Sequence, residues 1–306
     1  MAIETRGRFS SVIVPGLFAV MTEEYKRYPE VWREIVNVRS SNQTYEECTY
    51  LGGLPLVPKK GEGDPVTFQA RLQGPTKRWT HDTYALGMRI TEECIEDDLY
   101  NVMQDGSREL GVSARETRHV NVAEIFNTGF VTTYHTAGDG LAIFSASHTR
   151  LDGGTWSNVA TASAMSFSTL QNAILAFEGQ TDERGKKIMQ TPMTLLVPKA
   201  LEYKALELLQ PYNIGNPESA NNVINSITKA RPSIKIVVWP YLTSSTAWFL
   251  IGDNLRTDTG LIHFERVGVQ FGKEGDFMTG DAMFKTRFRN STEINKPIGV
   301  YGNAGV

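Results

Sequence analysis

Hydrophobic positions along this chain change their spacing several times, and each change marks an element. Between Thr91 and Phe130 no proline occurs; Ile95, Leu99, Val102, Met103 and Leu110 recur at helical spacing, and Val120, Ala123, Phe126 and Phe130 resume the stripe. Thr91 is a competent cap, and Glu92, Glu93, Glu96, Asp97 and Asp98 crowd the first turns, where negative charge meets the positive end of the helix dipole. The pattern predicts one spine helix over residues 91–130. A bend or break is expected at Gly106 or Gly111, since glycine costs a helix about 1 kcal/mol relative to alanine. Arg108, Arg115, Arg118 and His119 form its polar middle and are expected on the wet face. Such a helix would reach about 60 Å, against a diameter of roughly 50 Å for a compact globule of this length. The subunit is therefore expected to be flat or elongated.

Ahead of the spine, residues 1–47 alternate short apolar patches with polar linkers and carry an aromatic cluster, Tyr25, Tyr28 and Trp32. Residues Met21 to Val36 read as a helix interrupted by Pro29, with no complete core of its own. From Cys48 to Arg89 the runs become β-like (Thr49 to Leu51, Val66 to Phe68, Lys77 to Thr80, Thr83 to Met88), separated by glycine- and proline-containing turns. A long hairpin with a charged tip near Lys59-Lys60-Gly61-Glu62-Gly63-Asp64 is expected. An isolated two-stranded hairpin is marginal in water. Arm and hairpin together suggest that neighbouring subunits complete the packing, through Leu17, Phe18, Tyr25, Trp32, Leu54, Val66, Phe68 and Trp79.

Beyond the spine, Gly138-Asp139-Gly140 turns the chain into a short strand, Leu141 to Phe144. Residues 165–260 read as an α+β unit: a helix capped by Ser168 and ended at Gly179, a strand at Thr194 to Val197, an amphipathic helix at Lys199 to Leu209, and strands at Ile234 to Trp239 and Ala247 to Gly252. Three alternating strands follow, Leu261 to Glu265, Gly268 to Phe271 and Met283 to Arg289, each with one polar face. They are expected to return to a sheet containing Leu141 to Phe144.

With 306 residues, 41% hydrophobic and 21% charged, the composition is that of a globular protein, and a net charge of −3 restricts any polyanion contact to a local face. Cys48 and Cys94 lack a partner motif and are expected as reduced thiols. The apolar run Val12 to Met21 follows Arg6 and Arg8 but is split by Pro15-Gly16 and closed by no small-residue cleavage site, so it is not read as a secretion signal. None of the five histidines (His81, His119, His135, His148, His263) stands in a zinc-binding spacing, and structural roles are expected. Ser145 and His148 are neighbours in Phe-Ser-Ala-Ser-His, but the glycine-flanked elbow of a nucleophilic serine is missing. No cofactor, no metal and no catalytic residue is assigned. Arg108, Arg115 and Arg118 are candidates for phosphate contact, with solvation or pairing with the acidic first turns as the competing role.

In this order the segments Pro15 to Trp32 (PGLFAVMTEEYKRYPEVW), Thr80 to Tyr100 (THDTYALGMRITEECIEDDLY), Asp139 to His148 (DGLAIFSASH) and Thr194 to Leu209 (TLLVPKALEYKALELL) resemble tailed-phage major capsid proteins of the Hong Kong 97-like fold, in the Mu-like head-subunit subgroup. The resemblance implies an α+β subunit with an N-arm (1–47), an E-loop hairpin (48–89), a P-domain (90–164) containing the spine, an A-domain (165–260), and returning P-domain strands with the C-terminus (261–306). It implies a non-enzymatic head protein that forms pentamers and hexamers, closes into an icosahedral shell around double-stranded DNA in the host cytoplasm, and ends in the virion. A separate scaffolding protein, a portal and a decoration protein are the implied partners, and no membrane. Arg108, Arg115 and Arg118 become candidate inner-face phosphate contacts. Some members cross-link an E-loop lysine to a neighbour's asparagine; Lys59, Lys60 and Asn290 have the residue types, but no catalytic carboxylate is identifiable and no cross-link is expected. A same-fold, encapsulin-like nanocompartment is the alternative, and a serine hydrolase using Ser145 and His148 the remote one.

Overall fold

The computed structural model describes residues 19–91, 93–94, 102–209, 225–256, 260–276 and 278–306. Residues 19–26 are helical and Val31–Glu34 form a 3-10 turn, with Pro29 between them as the sequence predicts. The arm then enters β1 (Asn37–Ser40) and continues into a hairpin of β2 (Tyr45–Leu51) and β3 (Gln73–Thr80), followed by β4 (Asp82–Ile90). Thr91 accepts a hydrogen bond from the Cys94 amide (3.3 Å), the geometry of the anticipated cap.

The described part of the long helix, α1 (Val102–Asn127), runs without interruption for 26 residues, about 39 Å. The expected break at Gly106 or Gly111 does not occur; the first turns, residues 95–101, lie outside the described residues. Both glycines serve close packing instead. A Cβ on Gly111 would stand 2.6 Å from the Met21 carbonyl oxygen, and one on Gly106 2.6 Å from the Met88 sulfur. Glycine at these positions lets the arm and β4 lie directly on the helix.

Two four-stranded sheets share α1. The first has the order β1-β10-β11-β4, where β10 (Leu261–Gly275) and β11 (Ala282–Ile294) form a long antiparallel ribbon. β1 joins in parallel at the start of β10, and β4 pairs antiparallel along β11. Phe284 and Leu110 enclose Met21 where α1 meets this sheet. After a short hairpin of β5 (His148–Thr149) and β6 (Thr155–Trp156), the second sheet has the order β12-β9-β7-β8, from β7 (Pro192–Val197), β8 (Lys235–Val238), β9 (Trp248–Gly252) and β12 (Val300–Asn303). One of its faces is covered by α2 (Phe167–Glu178) and α3 (Glu202–Leu209), through Leu170, Ile174, Phe177, Ala205 and Leu208. Its other face, Leu196, Phe249 and Ile251, meets Val122, Ile125 and Phe126 of α1.

Several expectations are corrected here. Residues Leu141 to Phe144 form no strand in the returning sheet; Ala142 makes one bridge to Thr136, while Phe144 fills hollows at Gly129 and Gly302. Residues 261–275 are one continuous strand, and the sheet partners of β10 and β11 are β1 and β4. β4, expected in the hairpin, belongs to that sheet, and residues 300–303 close the second sheet. The cap of α2 is Ser166, in a reciprocal box with Thr169. The arm packs on its own subunit: Met21, Trp32, Ile35 and Val36 are all buried.

Candidate assembly surface

The hairpin base is fixed in its own subunit. Trp79 is buried on Ile262 and Phe264, with ring centroids 5.4 Å apart for Trp79 and Phe264. Lys77 places its ammonium on Glu293 (2.6 Å), the Ile294 carbonyl (3.1 Å) and the Thr136 carbonyl. Burial pushes the Glu293 carboxyl up, but hydrogen bonds and charge from His135 and Lys77 outweigh it and leave its pKa lowered. On the other hairpin strand, the Cys48 carbonyl accepts from Asn295 (2.9 Å).

A second anchor sits where the strands part. Arg184, in the turn after α2, donates from Nε to the Gly53 carbonyl (2.9 Å) and from Nη2 to the Ala70 carbonyl (2.8 Å), so one guanidinium clamps both sides of the loop. Next to it the buried Glu183 accepts from the Leu151 amide (3.0 Å) and pairs with Lys296 (3.1 Å), whose ammonium lies 5.0 Å from the Tyr50 ring centroid. Burial first, and then the Glu183 charge and hydrogen bond, raise the Tyr50 hydroxyl. Hydrogen bonds from a charged donor contribute about 1.5–3 kcal/mol each when well formed. Arg184→Ala is expected to accelerate amide hydrogen exchange at residues 50–53 and 70–74 while leaving β7 and β9 protected; unchanged exchange would place control of the loop elsewhere.

Beyond the clamp, residues 52–72 form neither helix nor strand, so the expected strand at Val66 to Phe68 is not present. The expected tip is a turn closed by Asp64, which accepts from the Gly61 amide (3.0 Å), with Gly63 at φ +82°. Leu54, Leu56, Val57, Val66 and Phe68 are exposed, Val57 at 94% and Phe68 at 91%. A buried side chain of these types stabilises by about 1.5–3 kcal/mol. Val57 and Phe68 contribute almost nothing of that kind to their own subunit, and Leu54, Leu56 and Val66 only part of it. These exposed apolar side chains are concentrated on one loop.

The remaining candidates divide sharply. Leu17 and Phe18 lie outside the described residues. Trp32 and Trp79 are buried in their own chain and are corrected from neighbour contacts to core. Trp32 packs 4.6 Å from the His263 ring, which burial and the Arg118 and Arg33 charges push down to about 3. Tyr25 is turned inward, donating to Glu30 (2.6 Å) and accepting from Arg118; burial is the main cause of its rise to about 12.

The arginine expectations are likewise corrected. Arg118 continues the ladder Leu110, Ala114, Val122, Phe126 at every fourth residue, and is only 4% exposed. It bonds Glu30 (3.1 Å), Glu265 and Tyr25. Arg115 is buried too, donating to the Glu24 carbonyl (2.7 Å) and lying 4.9 Å from the Tyr28 ring centroid. The arm covers the middle of α1, which turns the expected wet face into an interior one. Arg108 alone stays half exposed, paired with Asp105 (2.7 Å) and 3.8 Å from Glu24.

Ser145 and His148 form no catalytic pair. The His148 ring nitrogens face Asp139 (2.8 Å) and the Ile143 carbonyl (3.1 Å), and Ser145 Oγ accepts from the Ser147 amide (3.3 Å). Burial alone would raise Asp139, but the His148 hydrogen bond and charge, with the Leu141 and Thr149 amides, leave it lowered. Asn290 is buried in β11 and Lys59 and Lys60 stand on the exposed loop. Among the described residues no group of three or more His, Cys, Asp or Glu side chains is placed to hold a metal ion. Arg184, Glu183, Lys296, Leu56 and Val57 were not singled out by sequence; the charged run Asp182 to Lys187 was the available signal.

A helix shared by two sheets, with a long hairpin loop reaching out beyond its anchored base, is consistent with the Hong Kong 97-like capsid fold that the sequence resembles. Solved structures agree on that fold. The capsid of cyanophage P-SCSP1u superposes with a TM-score of 0.59 at 11% identity, over 89% of this chain and 86% of that one. The mature capsid of bacteriophage PhiM1 gives 0.56 at 10%, over 91% and 88%. A virus-like particle from Pyrococcus furiosus gives 0.54 at 11%, over 94% and 97%. No curated protein matches the chain. Residues 74–301 match the family model for phage capsid protein, well over half of the sequence, and the chain belongs to that family. It is a structural, capsid-type shell protein with a non-enzymatic role.

Proposed function

We propose that the chain is the major head protein of a tailed bacteriophage or prophage of the Mu-like subgroup, assembling as pentamers and hexamers into an icosahedral shell that packages double-stranded DNA. The observation that carries this reading is the loop of residues 52–72, clamped at its base and rich in exposed apolar side chains beyond it. In this reading β2, β3 and their loop are the E-loop, α1 and the β1-β10-β11-β4 sheet the P-domain, and the β12-β9-β7-β8 sheet with its helices the A-domain. Burial of the loop on a neighbour supplies association energy at about 25 cal/mol per Å² of apolar surface. Repetition around a closed particle multiplies it. A scaffolding protein, a portal and a decoration protein complete the set of partners, with assembly in the bacterial cytoplasm and residence in the virion.

Expression of the chain alone, followed by size exclusion and electron microscopy, tests the proposal. Hollow shells, or rings of five and six, support it; a monomer that stays monomeric with a scaffold supplied overturns it. A second reading, a same-fold nanocompartment, is favoured by the likeness to the Pyrococcus furiosus particle across nearly the full length of both chains. Nucleic-acid content of purified particles separates the two.

A further inference from the structure

With Arg115 and Arg118 buried, the cations free to meet a polyanion lie elsewhere. On β11, Lys285, Arg287 and Arg289 alternate and therefore project from one face of the sheet. Phe284, Thr286 and Phe288 take the other face and are buried. The register fixes what flanks the three cations: Gly272 and Gly87 beside Lys285, Gln270 and Ala85 beside Arg287, Val267 and Thr83 beside Arg289. No flanking residue is acidic, and most are small, so the cations form a ridge.

Lys285 and Arg287 are exposed, and neither makes an ion pair among the described residues. Arg289 donates to the His81 carbonyl (3.3 Å), and its Nε is buried without a partner. Arg266, beside it in the bulge of β10, donates to the Ser41 carbonyl (3.4 Å) and its Nε is likewise unpartnered. Several cations on other surfaces are matched, Arg78 by Glu47, Arg231 by Glu178 and Lys235 by Glu34. The acids of this end of the sheet, Asp276 and Asp281, are engaged by Arg89. Glu274, opposite Met283 and two residues from Gly272 on β10, borders the Lys285 end of the strip and makes no ion pair with Lys285 among the described residues.

We infer that this sheet face, through Lys285, Arg287 and Arg289, is a contact strip for the phosphate backbone of duplex DNA, an inference that rests on the DNA-packaging reading above. Alternate residues of a strand stand about 6.8 Å apart, so the three cations extend over about 14 Å. One DNA strand presents a phosphate every 3.4 Å or so along the axis, about four in that length. Charge complementarity favours this occupant over the loop tip of a second copy, because Lys59, Lys60, Glu62 and Asp64 sum to zero. Nothing on the strip reads bases, so binding is independent of sequence.

The test is fluorescence anisotropy of a short labelled duplex with the full-length chain across a range of salt concentrations. Each phosphate neutralised contributes about −0.9 to the slope of log K against log salt. The variant K285Q/R287Q/R289Q is expected to flatten that slope by about 2.7, and K285Q/R287Q, which changes only exposed side chains, by about 1.8. Lys59→Gln, on the loop, is expected to leave it unchanged. An unaltered slope in the double variant overturns the strip, as does equally tight binding of polyglutamate at matched charge, which would mark an acidic protein surface as the occupant. Shell formation scored on the same variants keeps the two proposals apart: shells with unaltered DNA binding sink the strip alone, and failure of the unmodified chain to form shells bears on the shell reading alone.

Discussion

Replacing residues 55–69 by a short Gly-Ser turn is expected to leave a folded, soluble subunit that no longer closes into particles. The cut spares every group that ties the hairpin to its own chain: Lys77 and Trp79 on β3, the Asn295 bond to Cys48, and the Gly53 and Ala70 carbonyls held by Arg184. It removes Leu56, Val57, Val66 and Phe68, which are exposed in the subunit and add little to its stability. Buried on a neighbour, each would contribute about 1.5–3 kcal/mol, so each copy loses several kcal/mol of association energy. The unfolding free energy is expected to change by less than about 1 kcal/mol, as surface positions contribute little, while microscopy shows no closed shells. Intact shells from the truncated chain would refute the role given to the loop.

Arg118→Ala is expected to damage the subunit itself. Its guanidinium is surrounded by Glu30, Glu265 and Tyr25, and truncation leaves the half-exposed Arg33 to balance both carboxylates in a partly buried site. Removing one member of a buried ionic cluster costs about 3–5 kcal/mol, of which the partial exposure of both glutamates returns some. The pH dependence carries a second signature. Burial pushes Glu30 up, yet hydrogen bonds from Tyr25 and Arg33 and the Arg118 and Arg33 charges leave its pKa lowered from 4.5. A carboxyl lowered by folding contributes stability that is complete above its ordinary value and lost as pH falls through the folded one. Melting temperature should therefore drop below about pH 4.5 in the unmodified protein. In Arg118→Ala that acid limb should be shallower. An acid limb of undiminished steepness would show that Glu30 is held by Arg33 and Tyr25 alone.

Local signals in the sequence were reliable where a segment's partners lie close by. The arm's break at Pro29, the helical stripe of α1 and the amphipathic run of α3 all appear in the structure. The turn at Gly61 to Asp64 is also where the glycines place it. Long-range partners were a different matter. Trp32 looked homeless because the histidine it packs against, His263, is more than two hundred residues away. Arg118 looked solvent-facing because an arginine on a helical stripe reads as polar until the arm that supplies Glu30 and Tyr25 is laid over it. The loop's apolar residues were partly legible, Leu54, Val66 and Phe68 but not Leu56 or Val57, since a proline-containing stretch lacks the alternation that marks a strand.

The parallel pairing of β1 with β10 also sets a clock. Asn37 lies opposite Ile262, so the arm's strand waits for the ribosome to deliver another 225 residues before its neighbour exists. At about 5–20 residues per second that delay is roughly 10–45 s. β12 pairs with β9 later still, which leaves the second sheet open at that edge while the nascent chain is being made. During synthesis the aromatic arm and the apolar loop are present without the framework that aims them. The arm and the hairpin therefore gain the sheets that hold them only once residues 261–303 have been delivered.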